Sequence, residues 1–468
     1  MFATLLSRRD ALKLTAAGVM AARLEGRTAR KVIVAGAGIG GLSCAWELVR
    51  RGHEVVVLEA SDRAGGHVLT FRAPLDDGLY ADAGAEHFTQ PGYERYWSYV
   101  KEFQLPYLYY PRREHILRFI GGKMYSPEML ADPKVLKGFG LNGRELEYLK
   151  THPFPELASL YYAPYLDSFR DEYRPFDAGL NHLDHLSTTE LFKQEGASAG
   201  ALAFIGGSTS ALQSVWHAAI LKLRGVPLFP TRVYRLVGGN QKLPDAFVER
   251  LGSRIRLRSP VTRIEHGQTG VRVTCRSGGE SVTHEADHLV CAMSAVRLRA
   301  IPVTPGWPAD KAYALKNVPY YFDSRVIFQS RTRFWTRDRI SPNMEFGVPE
   351  LNHVWTTCDE VETPRGLIVG TATGLQSPEG ALAAYRKRYP GASEDIEKAH
   401  VVAWASDPWA SACERTEYPP GQLARFWPTL IEPHGRIHFV GAYADNLNWG
   451  MEAATRSGYR VAAAIDTA

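Results

Sequence analysis

The stretch "KVIVAGAGIGGLSCAWELVRRGHEVVVLE", residues 31 to 59, constrains the fold more than any other part of the chain. Val32 to Ala35 form a short, mostly β-branched run that reads as a buried parallel strand. Gly36, Gly38 and Gly41 follow as GxGxxG, with Gly40 between them. The first glycine allows a tight turn, the second lets the backbone approach a pyrophosphate, and the third lets the next helix pack close to the strand. That helix is expected from about Leu42 to Arg51, with Gly52 ending it. Its N-terminus would offer free N–H groups and a positive dipole end to phosphates. "EVVVLE" is the second strand, and Glu59 stands at its carboxyl end, where an acid binds ribose hydroxyls. Strand, glycines, helix, strand and acid in this order make a βαβ dinucleotide-binding unit.

Glu59 alone would allow NAD. The tail that follows, "ASDRAGGH" (60–67), points elsewhere. Glu59, Arg63, Gly65 and Gly66 match a pattern of acid, three residues, Arg, one residue and Gly-Gly, and the chain here resembles the flavin amine oxidase superfamily. The resemblance implies FAD, with Ala60 beside the ribose acid. His67 stands where the family has a second arginine that touches the pyrophosphate. A histidine can still donate a hydrogen bond there without always being charged. The likeness continues through "LYADAGAEHF" (79–88), which carries Gly84 and Ala85 back to the cofactor. It continues through "PVTRI", where the backbone of Val261 would pass the adenine. It ends in "GRIHFVGAYADNLNWGMEAATRSGYRVAAAI", where Gly441, Ala442, Gly450 and Met451 would meet the flavin. There a helix from about Met451 would favour negative charge on the flavin pyrimidine.

The implied fold class is α/β. A Rossmann-like FAD-binding domain of the glutathione-reductase type (31–90, 230–305 and 405–468) is interleaved with a mixed α+β substrate domain (91–229 and 306–404). Residues 91 to about 229 read as mostly helical and rich in aromatics, among them Phe154, Tyr161, Tyr162 and Tyr165. "RIRLRSPVTRIEH" and "GVRVTCRS" read as strands around a turn at Gly267–Gly270.

Seven Lys or Arg against two acids in residues 1–31 account for the whole formal net charge of +5, so residues 32–468 sum to zero. The folded part gives no electrostatic case for nucleic acid. "SRRDALKLTAAGVMAA" resembles a twin-arginine export signal through Ser7, Arg8, Arg9, Leu12 and Lys13, with Ala11 departing from the usual phenylalanine. The apolar stretch is too short to span a bilayer. Residues 1–30 as an export signal imply the periplasm, with cleavage after Ala22 or Ala29. A disordered basic tail is the other reading. Five scattered cysteines without a CxxC pair indicate neither a disulfide framework nor a zinc site. His182 and His185 read as surface histidines, and no metal is expected.

Four family positions bear on chemistry. "SACERTEYPPG" (411–421) lays Cys413 on a flavin-linked cysteine of monoamine oxidases; a small buried thiol is the alternative. The amine cage of two aromatics is at least half missing, with Glu414 at one place and Gly450, after Trp449, at the other. Glu414 could hold a cation or accept a proton, or be a solvated acid. The arginine that anchors a substrate carboxylate in L-amino acid oxidases is replaced by His87, a poorer bidentate partner. The lysine that holds a water at the flavin falls at Ala300 or Pro302, which predicts slow reaction with oxygen unless Arg299 turns inward.

The resemblance therefore implies an exported FAD-dependent oxidoreductase that oxidises the C–N bond of an amine or amino acid. A fairly apolar pocket would hold the amine neutral. Catalytic candidates are His87, Glu414 and Trp449. A desaturase or isomerase acting on C–C bonds, or a flavin-binding protein without turnover, are the alternatives. Oxygen, a quinone or a periplasmic redox protein would take the electrons, and a homodimer is compatible with the chain.

Overall fold

The computed structural model describes residues 29–411, 413–414, 417–447 and 450–468, with 413 and 414 described by their backbone alone. The expected export signal (1–30) lies almost wholly outside the described residues. Among those described, no helix is long and apolar enough to cross a membrane.

Lys31–Ala35 and Glu54–Leu58 pair in parallel, with Val34 opposite Val57. His288–Cys291 adds on the other side, with Val34 opposite Val290. Ile255–Arg256 and Ile437–Phe439 complete a five-stranded sheet in the order 255–256, 54–58, 31–35, 288–291, 437–439. Val32, Val34, Val57, Leu289 and Val290 are all buried, which explains the unbroken apolar runs: both faces are covered. The parallel register brings Gly36, Glu59 and Ala292 to one edge, the carboxyl edge where ligands bind in open α/β sheets.

The first helix runs Ile39–Arg50, three residues earlier than expected. Gly38 carbonyl already accepts from Leu42 N–H, so the glycines lie in the first turn rather than before it. This helix packs on the last one, Gly450–Thr467. The contact is close because a Cβ at Gly458 would sit 2.5 Å from Ser43 Oγ, and one at Gly40 would sit 3.1 Å from Ala454 carbonyl oxygen.

A second, seven-stranded sheet has the order 396–403, 323–330, 366–373, 351–357, 344–348, 117–120, 123–125. Its last two strands correct the expectation that 91–229 is mostly helical. "LRFIGGKMY" turns at Gly121 and Gly122, both at positive φ, and the hairpin joins Met344–Val348 in parallel. Much of the rest of 91–229 is short helices and 3-10 turns, because prolines such as Pro111, Pro133, Pro155, Pro164 and Pro175 open new turns. The exception is Ala211–Leu223, an unbroken buried helix. The predicted strands at 261–266 and 271–277 form with a third at 280–286, and Gly267 N–H donates to Gly270 carbonyl at the turn.

Candidate active site

One cavity of about 1120 Å³ joins the carboxyl edge of the parallel sheet to the 323–330 strand of the second sheet. At its first end Glu59 is buried. Its Oε2 accepts from Ala37 N–H at 2.6 Å and its Oε1 from Ser61 N–H at 2.8 Å. Burial pushes this carboxyl up, against those two N–H bonds and Arg63. Arg63 donates to Gly66 carbonyl at 2.7 Å and lies 6.0 Å from the Trp404 ring, which pins the glycine turn. Ala60 and Val261 complete this end.

The glycines differ in what requires them. A Cβ at Gly36 would sit 2.7 Å from Ala292 carbonyl oxygen, and one at Gly41 only 2.0 Å from Gly36 oxygen. The fold itself demands those two. A Cβ at Gly38 would meet nothing within 4 Å, although Gly38 bridges Gly65 and touches Gly66. Its small size matters only if a ligand fills the space in front of it. That space, at a helix N-terminus and beside a buried acid, suits the pyrophosphate and ribose of FAD.

His67 lines the same cavity, but its Nε2 lies 2.7 Å from Ala410 carbonyl and its ring meets Trp404 edge-on at 4.7 Å. The Nε2 hydrogen bond expected for the phosphate is thus given to the 404–410 loop. Gly84 is pressed onto His67, whose carbonyl oxygen would lie 1.8 Å from a Cβ there and accepts from Ala85 N–H. Gly441 has φ +146° and donates to Ser457 Oγ, and Ala442, Gly450 and Met451 reach the cavity wall. The structure therefore brings Gly36, Gly38, Gly40, Glu59, Ala60, Arg63, Gly65, Gly66, His67, Gly84, Ala85, Val261, Gly441, Ala442, Gly450 and Met451 to one cavity. Gly41 stands just behind it.

Past Gly84 the wall changes character. His87 Nδ1 lies 2.6 Å from Glu86 Oε1, and Arg112 Nε lies 2.9 Å from the same oxygen. Arg112 and Arg113 each approach the His87 ring at 3.2 Å. Burial pushes His87 down to about 4, and Arg112 adds to this against Glu86. Burial opposes ionisation of Glu86, but Arg112, His87 and Arg325 outweigh it and hold that carboxyl well below its usual range. His87 is therefore neutral at pH 7, with Glu86 ionised beside it.

Three residues here were invisible as site residues in the sequence: Arg112, Arg113 and Arg325. Arg325, on Asp323–Ser330, lines the cavity and donates to Gly84 carbonyl at 2.6 Å. A basic residue starting the apolar run "RVIFQ" was the one available signal. The lysine place was expected at Ala300 or Pro302. Ala300 lines the cavity, but Pro302 carbonyl accepts from Ile264 N–H in the 261–266 sheet, and Arg299 turns out to Lys316 carbonyl. The cavity expected to be fairly apolar also carries polar groups. Asn352, Thr371 and Thr373 share this wall with Tyr93 and Tyr321, and Asn352 donates to Thr373 Oγ1.

Cys413 and Glu414 form a short strand paired with Tyr321 and Tyr320, and Tyr321 lines the cavity. Their side chains, and all of Trp449, lie outside the described residues. His182 and His185 are exposed on a 3-10 turn. Among the described residues no three His, Cys, Asp or Glu side chains are grouped to hold a metal.

The model of the family "flavin containing amine oxidoreductase" matches residues 39–466. The L-amino-acid oxidase of Pseudechis australis is 25% identical over 94% of this chain and 87% of its own length. That of Bothrops atrox is 26% identical over 94% and 89%. A putrescine oxidase solved with putrescine superposes with a TM-score of 0.74 at 22% identity, covering 94% of this chain and all of that one. The cyclohexylamine oxidase of Brevibacterium oxydans gives 0.67 at 23%, covering 94% and 99%. A family match over nearly the whole described chain, on a cavity whose glycines and buried acid suit FAD, identifies this chain as a member of the flavin-containing amine oxidoreductases, FAD-dependent enzymes.

Proposed function

We propose that this enzyme oxidises a C–N bond of an amine or amino acid that enters past Gly84, and that it works after export through a twin-arginine signal to the periplasm. The observation that carries the reading is the single cavity joining the FAD cradle to a closed set of polar and aromatic side chains. FAD supplies the hydride acceptor. The chain's own residues bind, orient and insulate. Neutral His87 adds no positive charge beside the amine, which favours the unprotonated substrate needed for hydride loss. Glu86 stays ionised, and Arg112 fixes it. Tyr93 and Tyr321 supply aromatic surface on the cavity wall. A thioether from Cys413 to the flavin belongs to this reading, supported by the likeness of 411–421 to the flavin-linked segment of monoamine oxidases. Oxygen, a quinone or a periplasmic redox protein receives the electrons, and assembly as a homodimer is compatible with this site.

Anaerobic mixing of flavin-loaded protein with a panel of amines and amino acids tests this. Bleaching of the flavin band by a member of the panel is expected. No bleaching by any of them, with bleaching or isomerisation of a substrate lacking nitrogen, would replace this reading with C–C chemistry. Flavin colour retained in acid-precipitated protein, and lost in Cys413→Ala, is expected for the thioether. Colour that passes wholly into the supernatant removes it.

A further inference from the structure

The segment from Trp404 to Ala410 forms an outer wall of the cofactor end. Trp404, Asp407, Trp409 and Ala410 line the same space as Gly38, Glu59 and Gly66, while Trp409 is 37% exposed on its other side. Trp404 roots the segment. Its Nε1 donates to Ala83 carbonyl at 2.8 Å, and its buried ring lies against Arg63 and His67. Beyond it the chain folds on itself. Asp407 N–H donates to Trp404 carbonyl, and Asp407 Oδ1 accepts from Trp409 N–H and Ala410 N–H, each at 2.7 Å. Among the described residues, one hydrogen bond ties 405–410 to the rest of the protein, from His67 Nε2 to Ala410 carbonyl at 2.7 Å. A carbonyl only accepts, so the His67 proton sits on Nε2. No residue of 405–410 is buried. A segment rooted at one end, caught by one hydrogen bond at the other and without buried side chains between them is of the kind that opens locally.

We propose that 404–410 is a strap closed over FAD and that His67 is its catch, a positioning residue that retains the cofactor through the strap. The inference rests on the FAD cradle and is independent of which substrate is oxidised. FAD lies behind the strap, so it leaves when Ala410 carbonyl parts from His67 Nε2 and the segment swings about Trp404. The catch is a firm mount. His67 carbonyl accepts from Ala85 N–H at 3.0 Å, and Arg63 holds the neighbouring Gly66 carbonyl. The strap is therefore the part that yields. Arg63 adds a second pull: burial works against its charge, and Asp407 on the strap is the acid that most offsets this. His67 thus keeps the cofactor from the other side of the site, by closing it rather than by touching a phosphate.

Release of FAD tests this in a Cys413→Ala background, where no thioether hides it. Flavin-loaded protein is diluted, and the rise of free flavin fluorescence is timed. His67→Ala should speed release about threefold to tenfold, the range for losing one hydrogen bond. His67→Gln, whose side-chain amide can donate to the same carbonyl, should stay within about twofold of the background. Asp407→Ala unfolds the strap and should also speed release. The double variant His67→Ala with Asp407→Ala should then be no faster than the faster single one, because a catch has nothing to hold on a loose strap. In flavin-loaded protein, hydrogen exchange of peptides spanning 404–410 should quicken in His67→Ala, and that of 31–59 should not. Rates that multiply in the double variant, or faster release with unchanged exchange at 404–410, would make His67 a direct phosphate ligand and overturn the proposal. Release unaffected by His67→Ala, or as fast from His67→Gln as from His67→Ala, would overturn it as well. If His67→Ala does not load flavin, Asp407→Ala alone decides: release no faster than the background contradicts a strap.

Discussion

The two ends of the cavity are made from different materials. The cofactor end is largely main chain: glycines, a helix N-terminus and one acid held by two N–H groups, most of it from residues 36–67. The substrate end is long charged side chains from three distant segments: 86–87 and 112–113 are locked to each other, and Arg325 is held by Gly84 carbonyl. Backbone geometry is fixed by the fold and suits a ligand that is always the same. Side-chain charge can be redrawn one residue at a time.

The largest expected effect breaks the substrate end. Glu86→Gln leaves Arg112 without its ion-pair partner in a buried place, and removing one member of such a pair costs roughly 3–5 kcal/mol. Urea unfolding at pH 7 measures it. A loss under about 1 kcal/mol would mean that the arginines find other partners and that the end is not locked.

The next effect separates the ends by pH. Glu86 is held below the ordinary glutamate range, and His87 is pushed down from 6.5 to about 4. Both folded values lie below the unfolded ones. Their contribution is therefore present at neutral pH and lost on acidification, from about pH 6.5 downward for His87 and below about 4.5 for Glu86. Glu452 begins the helix at the cofactor end and accepts from Tyr96 N–H and Arg95 N–H. Burial, outweighing these bonds, raises it to about 7. Its contribution has the opposite sign: present below pH 4.5 and lost as pH rises through about 7. Glu452→Gln should flatten the decline in unfolding free energy between about pH 5 and 8 and leave the acid limb in place. An unchanged alkaline limb would contradict this.

The smallest expected effect is at His87. His87→Ala should raise KM for an amino acid by roughly threefold to tenfold and kcat little, through loosened arginines, and should spare the matching simple amine. Equal changes for both substrates would reduce His87 to a shape-filling residue.

The same contrast explains what could be read from the chain. The βαβ unit is contiguous, so spacing alone located Gly36, Gly38, Gly41 and Glu59, and only the helix start was misplaced, by three residues. The substrate end is assembled across more than two hundred residues, as in the hydrogen bond from the Arg325 side chain to Gly84 carbonyl. "PRR" at 111–113 looks like any surface basic pair until Glu86 is brought against it. The fairly apolar pocket was inferred from the needs of an amine, not from residues, so the polar groups on its wall, Asn352 and Thr371, were not foreseen. The hairpin at 117–125 was hidden because its strand partner lies at 344–348.

The central claim is that the backbone end of the cavity holds FAD, and Gly38 tests it most directly. Because a Cβ there meets nothing within 4 Å of this protein, Gly38→Val should fold with a melting temperature close to that of the flavin-free parent, yet purify colourless. Gly41→Val, whose Cβ would meet Gly36 oxygen at 2.0 Å, should fail to fold and so shows what a structural glycine looks like. Flavin content per folded protein, read from the absorption spectrum of Gly38→Val, is the measurement. A value near zero is expected, and full occupancy would contradict the account.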